Sequence, residues 1–184
     1  MIVRDATEAD LPAIAALYGR HVLHGTASFE YDPPPVEEMA ARWRAVTGHG
    51  LPYLVAELEG RFAGYAAASL FRPRTGYRYT VEDSIYVSEG AQGQGVFRWL
   101  LNGLIARCEA LGLRQMTAVI GDSANAASIA LHRACGFEHV GVFRSVGWKH
   151  GRWVDVVMMQ RALGAGDRAE PDAPGLAIAE RWGR

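Results

Sequence analysis

Residues 82 to 137 constrain the folding of this chain more than any other stretch. Glu82-Asp83-Ser84-Ile85-Tyr86-Val87-Ser88 reads as a β-type segment, and Gln92-Gly93-Gln94-Gly95 follows it as a loop. An apolar-periodic helix comes next. Glycines remove side chains where a ligand must come close to the backbone. The helix start points free N–H groups and the positive end of its dipole at the loop. A strand, a glycine loop and a helix in this order predict a pyrophosphate site. The dinucleotide fingerprint G-x-G-x-x-G fails, because Arg98 stands where the third glycine belongs. A Walker-type G-K-[ST] is absent, and the only lysine is Lys149.

The rest of the chain surrounds this unit with regular patterns. Ile2 to Arg4 reads as a strand, and Thr7 with Asp10 as a capping box with Asp in place of Glu. Leu11 to Val22 follows a helical period. Thr26 to Pro35 is a loop ended by prolines, and Val36 to Val46 a second helix. Tyr53 to Leu58 and Phe62 to Leu70 form a hairpin about Glu59-Gly60, followed by a strand over Val81 to Ser88. The helix after the glycine loop places Val96, Leu100, Leu104, Cys108 and Leu111 on one stripe and stops at Gly112. Gln115 to Ile120 is a strand and Asn125 to Cys135 a helix. Phe143 to Trp148 and Trp153 to Gln160 form a final hairpin around His150-Gly151. The order β-α-α-β-β-β-α-β-α-β-β predicts one α/β (α+β) domain over 1–163, with a mixed central sheet flanked by helices. The Ala/Gly/Pro-rich residues 164–184 are expected to be a loosely ordered tail.

The 184 residues suffice for one core, and a net charge of −1 gives no global field for nucleic acid or anionic membrane. No apolar run reaches membrane-spanning length, and the N-terminus has no leader pattern. Cys108 and Cys135 fall on apolar helix positions and make neither a disulfide framework nor a metal set. The expectation is a cytoplasmic protein without a metal.

The run from Gln92 to Phe97 resembles the Q/R-x-x-G-x-G/A loop of the GCN5-related N-acetyltransferases (GNAT). Asn125-Ala126-Ala127-Ser128, with His132 and Gly136-Phe137 behind it, resembles the second half of that family's cofactor site. Phe71 to Val87 and Gly147 to Asp155 look like the phosphinothricin and methionine sulfone–methionine sulfoximine N-acetyltransferase branch, and the likeness covers residues 2 to 162. The resemblance implies a single GNAT-like domain and a homodimer. It also implies acetyl-CoA as acetyl donor and direct transfer to the α-amino group of a small amino-acid analogue. One departure is Phe97, where the loop usually ends on Gly or Ala; its ring points into the core or crowds the cofactor. Another is His132, where the wider family often has a tyrosine acid.

Acetyl transfer to an amine needs an unprotonated amine, a stabilised oxyanion and a leaving thiolate. Glu82 is the candidate base, on a strand face shared with Ser84 and Tyr86; the bland alternative is a solvated strand-start carboxylate. The resemblance assigns the acetyl carbonyl and pantetheine arm to the backbone of Ile85, Tyr86 and Val87. It assigns the pyrophosphate to Gln92, Gly93, Gln94, Gly95, Val96, Phe97 and Arg98. Asn125 is an N-cap, a cofactor ligand or both, with Ser128 beside it. His132 is a thiolate acid, a substrate contact or a packed core residue. Arg72, Arg74 and Arg78 beside Tyr77 and Tyr79 suit a substrate carboxylate, with Thr75 and Gly76 as a turn. Phe29 and Glu30 lie where the branch lines its substrate pocket. Trp43, Trp99, Trp148 and Trp153 are read as core or dimer contacts. The rivals are the same fold acting on a protein N-terminus or polyamine, and a non-catalytic acyl-CoA-binding protein.

Overall fold

The computed structural model describes residues 1–178. Seven strands form one sheet in the order β1-β2-β3-β4-β5-β7-β6. The antiparallel run β1 (Ile2–Asp5), β2 (Tyr53–Leu58), β3 (Arg61–Leu70) and β4 (Thr80–Val87) meets β5 (Gln115–Gly121) in parallel. β7 (Arg152–Ala162) then lies antiparallel between β5 and the edge strand β6 (Glu138–Lys149). Four helices flank the sheet: α1 (Leu11–His24), α2 (Val36–Gly48), α3 (Val96–Ala110) and α4 (Ala126–Ala134).

The two-residue period of the strands sorts their side chains between two cores. Tyr53, Val55, Tyr65, Ala67 and Tyr86 face α1 and α2. Leu54, Ala56, Ala66, Ala68 and Val81 face α3. Across β2, β3 and β4, Tyr53 stacks on Tyr65 at 5.6 Å and Tyr65 on Tyr86 at 5.3 Å. Tyr18 of α1 meets Tyr86 edge-on at 5.2 Å. This aromatic ladder fixes α1 over β4. On α3 the buried stripe runs from Val96 through Leu100 and Leu104 to Cys108, while Leu111 is exposed beyond the helix end. The stripe ends one turn sooner than the period predicts, because Gly112 at φ +73° turns the chain away.

Two other stretches depart from expectation. β6 begins at Glu138, five residues before its expected start. Register shifts between His139 and Gly141 and between Phe143 and Gly147 break the alternation that would reveal it. Residues 164–178 also lie against the domain rather than loose. Leu176 is buried in the α3-side core, its N–H donates to the Arg78 carbonyl at 2.8 Å, and Arg114 donates to the Glu170 carbonyl at 3.0 Å. A few apolar side chains and backbone bonds outweigh the polar composition read from sequence. Cys108 and Cys135 are buried free thiols. No described helix is long and apolar enough to cross a membrane.

Candidate active site

β4 and β5 pair only from Thr80–Gln115 to Asp83–Ala118. Past Asp83, β4 continues along β3 to Val87, and β5 continues along β7 to Gly121. The strands part, so one side of the backbone of Ser84, Ile85, Tyr86 and Val87 lies outside the ladder. A cleft of about 210 Å³ fills the gap, lined among others by Glu82, Ser84, Tyr18, Ser28, Asn125 and His132.

Glu82 stands at the root of the split, half-buried, on the face of Ser84 and Tyr86 as the period predicts. Burial pushes its carboxyl above the ordinary carboxylate range; the charge of Asp83 adds to the shift and Arg72 opposes it. Asp83 points to the opposite face, where its Oδ2 meets His132 Nε2 at 3.1 Å. His132 Nδ1 lies 2.8 Å from the Ser128 carbonyl and 3.3 Å from its hydroxyl. A carbonyl only accepts, so Nδ1 carries a proton, and facing a carboxylate the ring is best served as an imidazolium. Burial alone would lower its pKa; the bond to Asp83, that carboxylate's charge and the Ser128 carbonyl outweigh burial and hold it above the usual value. Phe97 and Phe137 each pack edge-on against the ring, both at 5.2 Å. Both nitrogens of His132 are therefore engaged. Phe97, half-buried, packs on the imidazole and also forms part of the cleft lining.

The loop after β4 is made by its glycines. Gly93 and Gly95 take φ +74° and +80°, conformations that side-chain-bearing residues rarely adopt. An added Cβ at Gly93 would meet nothing within 4 Å. The first bond of α3 runs from the Trp99 N–H to the Gly95 carbonyl at 3.1 Å. This leaves the N–H groups of Val96, Phe97 and Arg98 outside the helix ladder. Gln92 and Gln94 are exposed; Gln94 donates to the Gly90 carbonyl at 2.9 Å. At α4 the Asn125 side chain accepts from the Ser128 N–H at 3.2 Å, so it is an N-cap. Open space, left-handed glycines and two helix starts beside a split strand fit a pyrophosphate with an extended arm.

The opposite wall comes from distant parts of the chain. Phe29 does not line the cleft; its ring covers Gly147 of β6 so closely that a Cβ there would stand 2.1 Å from Cε1. Glu30 accepts from the Tyr18 hydroxyl at 2.8 Å and from Arg42 at 2.8 and 3.2 Å. Both are structural supports of the wall. Of the basic segment, Arg72 is the arginine whose charge reaches Glu82; its guanidinium lies over the Phe71 ring at 4.6 Å. Arg74 donates to the Pro73 carbonyl, and Thr75, Gly76 and Tyr77 form a 3-10 turn with Tyr77 edge-on to Phe71. Tyr79 is drawn away from the site, its hydroxyl donating to the Ala173 carbonyl at 2.7 Å.

Three residues lining the cleft and one buried behind its wall escaped sequence reasoning. Asp83 carried a signal, a carboxylate at a core-facing position of an apolar strand. Lys149 carried another, the sole lysine, set between two tryptophans. Tyr18 read as one more residue of an apolar stripe, and Ser28 as loop.

The acetyltransferase (GNAT) domain family matches residues 3–158. The chain is 56% identical to a phosphinothricin N-acetyltransferase of Alcaligenes faecalis, over 92% of this chain and 86% of that protein. It is 43% identical to an L-methionine sulfoximine/L-methionine sulfone acetyltransferase of Pseudomonas aeruginosa, over 88% and 94%. Among solved structures, a GNAT superfamily phosphinothricin acetyltransferase from Sinorhizobium meliloti in complex with acetyl-CoA superimposes with a TM-score of 0.90. It shares 52% identity, with 92% of both chains covered.

Proposed function

Because the chain belongs to the GNAT acetyltransferase family, we propose that it transfers an acetyl group from acetyl-CoA to the α-amino group of a small amino-acid analogue. Phosphinothricin, methionine sulfoximine and methionine sulfone are the acceptors of choice, following the names of the relatives. The observation that carries this reading is Glu82. It is a half-buried carboxylate with a raised pKa, at the root of a split between strands and beside a glycine-built cradle.

The cradle residues Gln92 to Arg98 would hold the pyrophosphate through backbone N–H groups, with Arg98 adding a charge, and the parted backbone of Ile85 to Val87 would hold the pantetheine arm. Asn125 and Ser128 shape the far side. Bound there, acetyl-CoA supplies the acetyl group as an activated thioester. Glu82 accepts the proton of the acceptor amine, whose pKa near roughly 8 calls only for a modest base. Its raised pKa makes the carboxylate a better proton acceptor than an exposed one. Backbone N–H groups on the open side of the parted strand would stabilise negative charge on the acetyl carbonyl as the amine bonds to its carbon; the thioester C–S bond then breaks and CoA leaves as a thiolate, which takes a proton from solvent. His132 acts here as a tie between α4 and β4, since both its nitrogens are engaged. Transfer is direct: Cys108, burial pushing its thiol up to about 12, sits in the core and carries no acetyl group. Arg72, alongside Arg74 and the 75–77 turn, meets the acceptor carboxylate.

The assembly we propose is a homodimer. β6 is an edge strand that exposes Val140, Phe143, Val146 and Trp148, with Trp153 of β7 beside them, all at least 50% accessible. Such an apolar edge suits a second copy of the chain. Two buried unpaired thiols suit a reducing cytoplasm.

A thiol-release screen over methionine sulfone, methionine sulfoximine, phosphinothricin and the common amino acids tests the assignment. The first three should react best. Their decarboxylated analogues should lose about tenfold or more in kcat/KM, the cost of truncating one side of a charged contact. Equal turnover of decarboxylated amines would replace the amino-acid reading with a general-amine one.

A further inference from the structure

One buried cation ties the part of the cleft wall formed by Ala27 and Ser28. Lys149, the only lysine of the chain, ends β6 with 2% of its surface exposed. Its ammonium donates to the carbonyl of Ser28 at 2.5 Å. An ammonium removed from water is costly unless hydrogen bonds and a counter-charge replace the solvent. The counter-charge is Glu30: burial pulls the Lys149 pKa down, and the Glu30 carboxylate opposes that shift. Glu30 is itself gripped by Tyr18 and Arg42, so cation, loop and helix form one network.

Other ties join the same two regions. His150 Nε2 meets the Gly25 carbonyl at 3.1 Å, the Tyr31 hydroxyl donates to the Trp148 carbonyl, and the Phe29 ring covers Gly147. His150 and Tyr31 are exposed; Lys149 is the buried charged tie, at the middle of the loop. What the loop shows to the cleft is Ala27 and Ser28. Several contacts set their place: the Tyr18 hydroxyl lies 2.9 Å from the Ser28 hydroxyl, the Glu30 N–H donates to that oxygen at 3.2 Å, the Thr26 carbonyl lies against Gly121, and the Lys149–Ser28 bond is the charged one among them.

We propose that Lys149 is a positioning residue for the acceptor amino acid, holding the Ala27–Ser28 wall of the cleft through the Ser28 carbonyl. It touches neither the reacting atoms nor the cofactor cradle. The proposal rests on the acetyltransferase reading and adds to it a residue outside the cleft.

The test is Lys149→Met in the full chain, which keeps an unbranched apolar stem and removes the ammonium. Calorimetry should find acetyl-CoA affinity within about twofold of wild type. The KM for methionine sulfone or phosphinothricin should rise about tenfold or more, the scale of one lost charged hydrogen bond, with a smaller fall in kcat. Lys149→Arg should recover part of the acceptor KM. An unchanged acceptor KM in Lys149→Met overturns the proposal, and so does equal weakening of cofactor and acceptor. A second variant guards against a simple loss of folding: Glu30→Gln removes the counter-charge at nearly constant size and should raise the acceptor KM in the same direction with acetyl-CoA affinity unaltered, and an unchanged acceptor KM would count against the idea. If wild-type enzyme turns over no amino acid at all, the functional reading has failed. If it does and Lys149 is neutral, only this inference has failed.

Discussion

The proposed cofactor and acceptor ends of the site are built by different means. The cofactor end, the glycine loop and helix starts next to the cleft, is backbone. Left-handed glycines, a helix start and a capped second helix come from residues 92 to 128, close together in sequence. The acceptor end is side chain. Tyr18, Ser28, Glu30, Arg42 and Lys149 come from four separate segments and meet through hydrogen bonds. A backbone site tolerates many side chains but few changes of conformation. A side-chain site tolerates the reverse. Perturbations should therefore separate: conformational ones should damage cofactor binding, and packing or charge ones should damage acceptor binding.

The largest effect is expected where the ends meet. Glu82→Gln should lower kcat by about 10² to 10⁴, the range for a general base, while calorimetry finds acetyl-CoA binding unchanged. A variant with near wild-type turnover would remove Glu82 from the mechanism and leave the two ends without a shared centre.

Gly95→Val probes the backbone end alone. At φ +80° a branched residue carries strain of about 1–3 kcal/mol. Acetyl-CoA affinity should fall about tenfold or more, with acceptor KM at saturating cofactor unaltered. Equal damage to both substrates would dissolve the distinction.

Gly147→Ala probes the other end. Its Cβ would stand 2.1 Å from Phe29 Cε1, so the ring must leave. Overpacking of this kind costs about 1–3 kcal/mol. Acceptor KM should rise several-fold and Tm should drop, while acetyl-CoA still binds as tightly. If the cofactor is the substrate that suffers, the loop and hairpin serve the wrong end.

The smallest effect concerns the tie behind Glu82. The folded pKa of His132 is raised above its ordinary value, so its contribution to stability is full below about 6.5 and is lost as pH rises through the raised value. His132→Gln should therefore lower Tm by more at pH 6 than at pH 9, by a few degrees on a scale of about 2–4 °C per kcal/mol. A gap that widens with pH would mean the ring is not paired as an imidazolium.

The same contrast explains what could be read in advance. The element order, the sheet type and the cofactor end follow from short-range patterns: a two-residue period on β4, glycines at 93 and 95, an Asn-initiated helix. Glu82 was legible because the strand period puts it on the face of Ser84. Phe29 and Glu30 read as lining the substrate pocket; the Phe29 ring covers Gly147, and Glu30 is held by Tyr18 and Arg42. Nothing local in Ser28 or Phe29 announces that a lysine and a glycine of the last hairpin will meet them. Tyr79 looked like part of a binding segment because its partner, the Ala173 carbonyl, lies 94 residues away. Bulges hid the first half of β6, since each shift swaps which side chains alternate.

The Lys149–Ser28 bond joins residues 121 positions apart. A ribosome must therefore deliver most of the chain before the acceptor wall can close, and β7, the strand that seats β6 in the sheet, emerges later still. The α3-side core beneath the glycine loop takes Val157, Met159, Leu163 and Leu176 from the last stretch of the chain, so it too is completed only once β7 has emerged, and the wall tied to Lys149 closes with it. Contacts of such long range slow folding and leave sheet edges open in the interval. A nascent or prematurely terminated chain lacking the final hairpin would have no finished acceptor pocket, so substrate choice is acquired at the end of biogenesis.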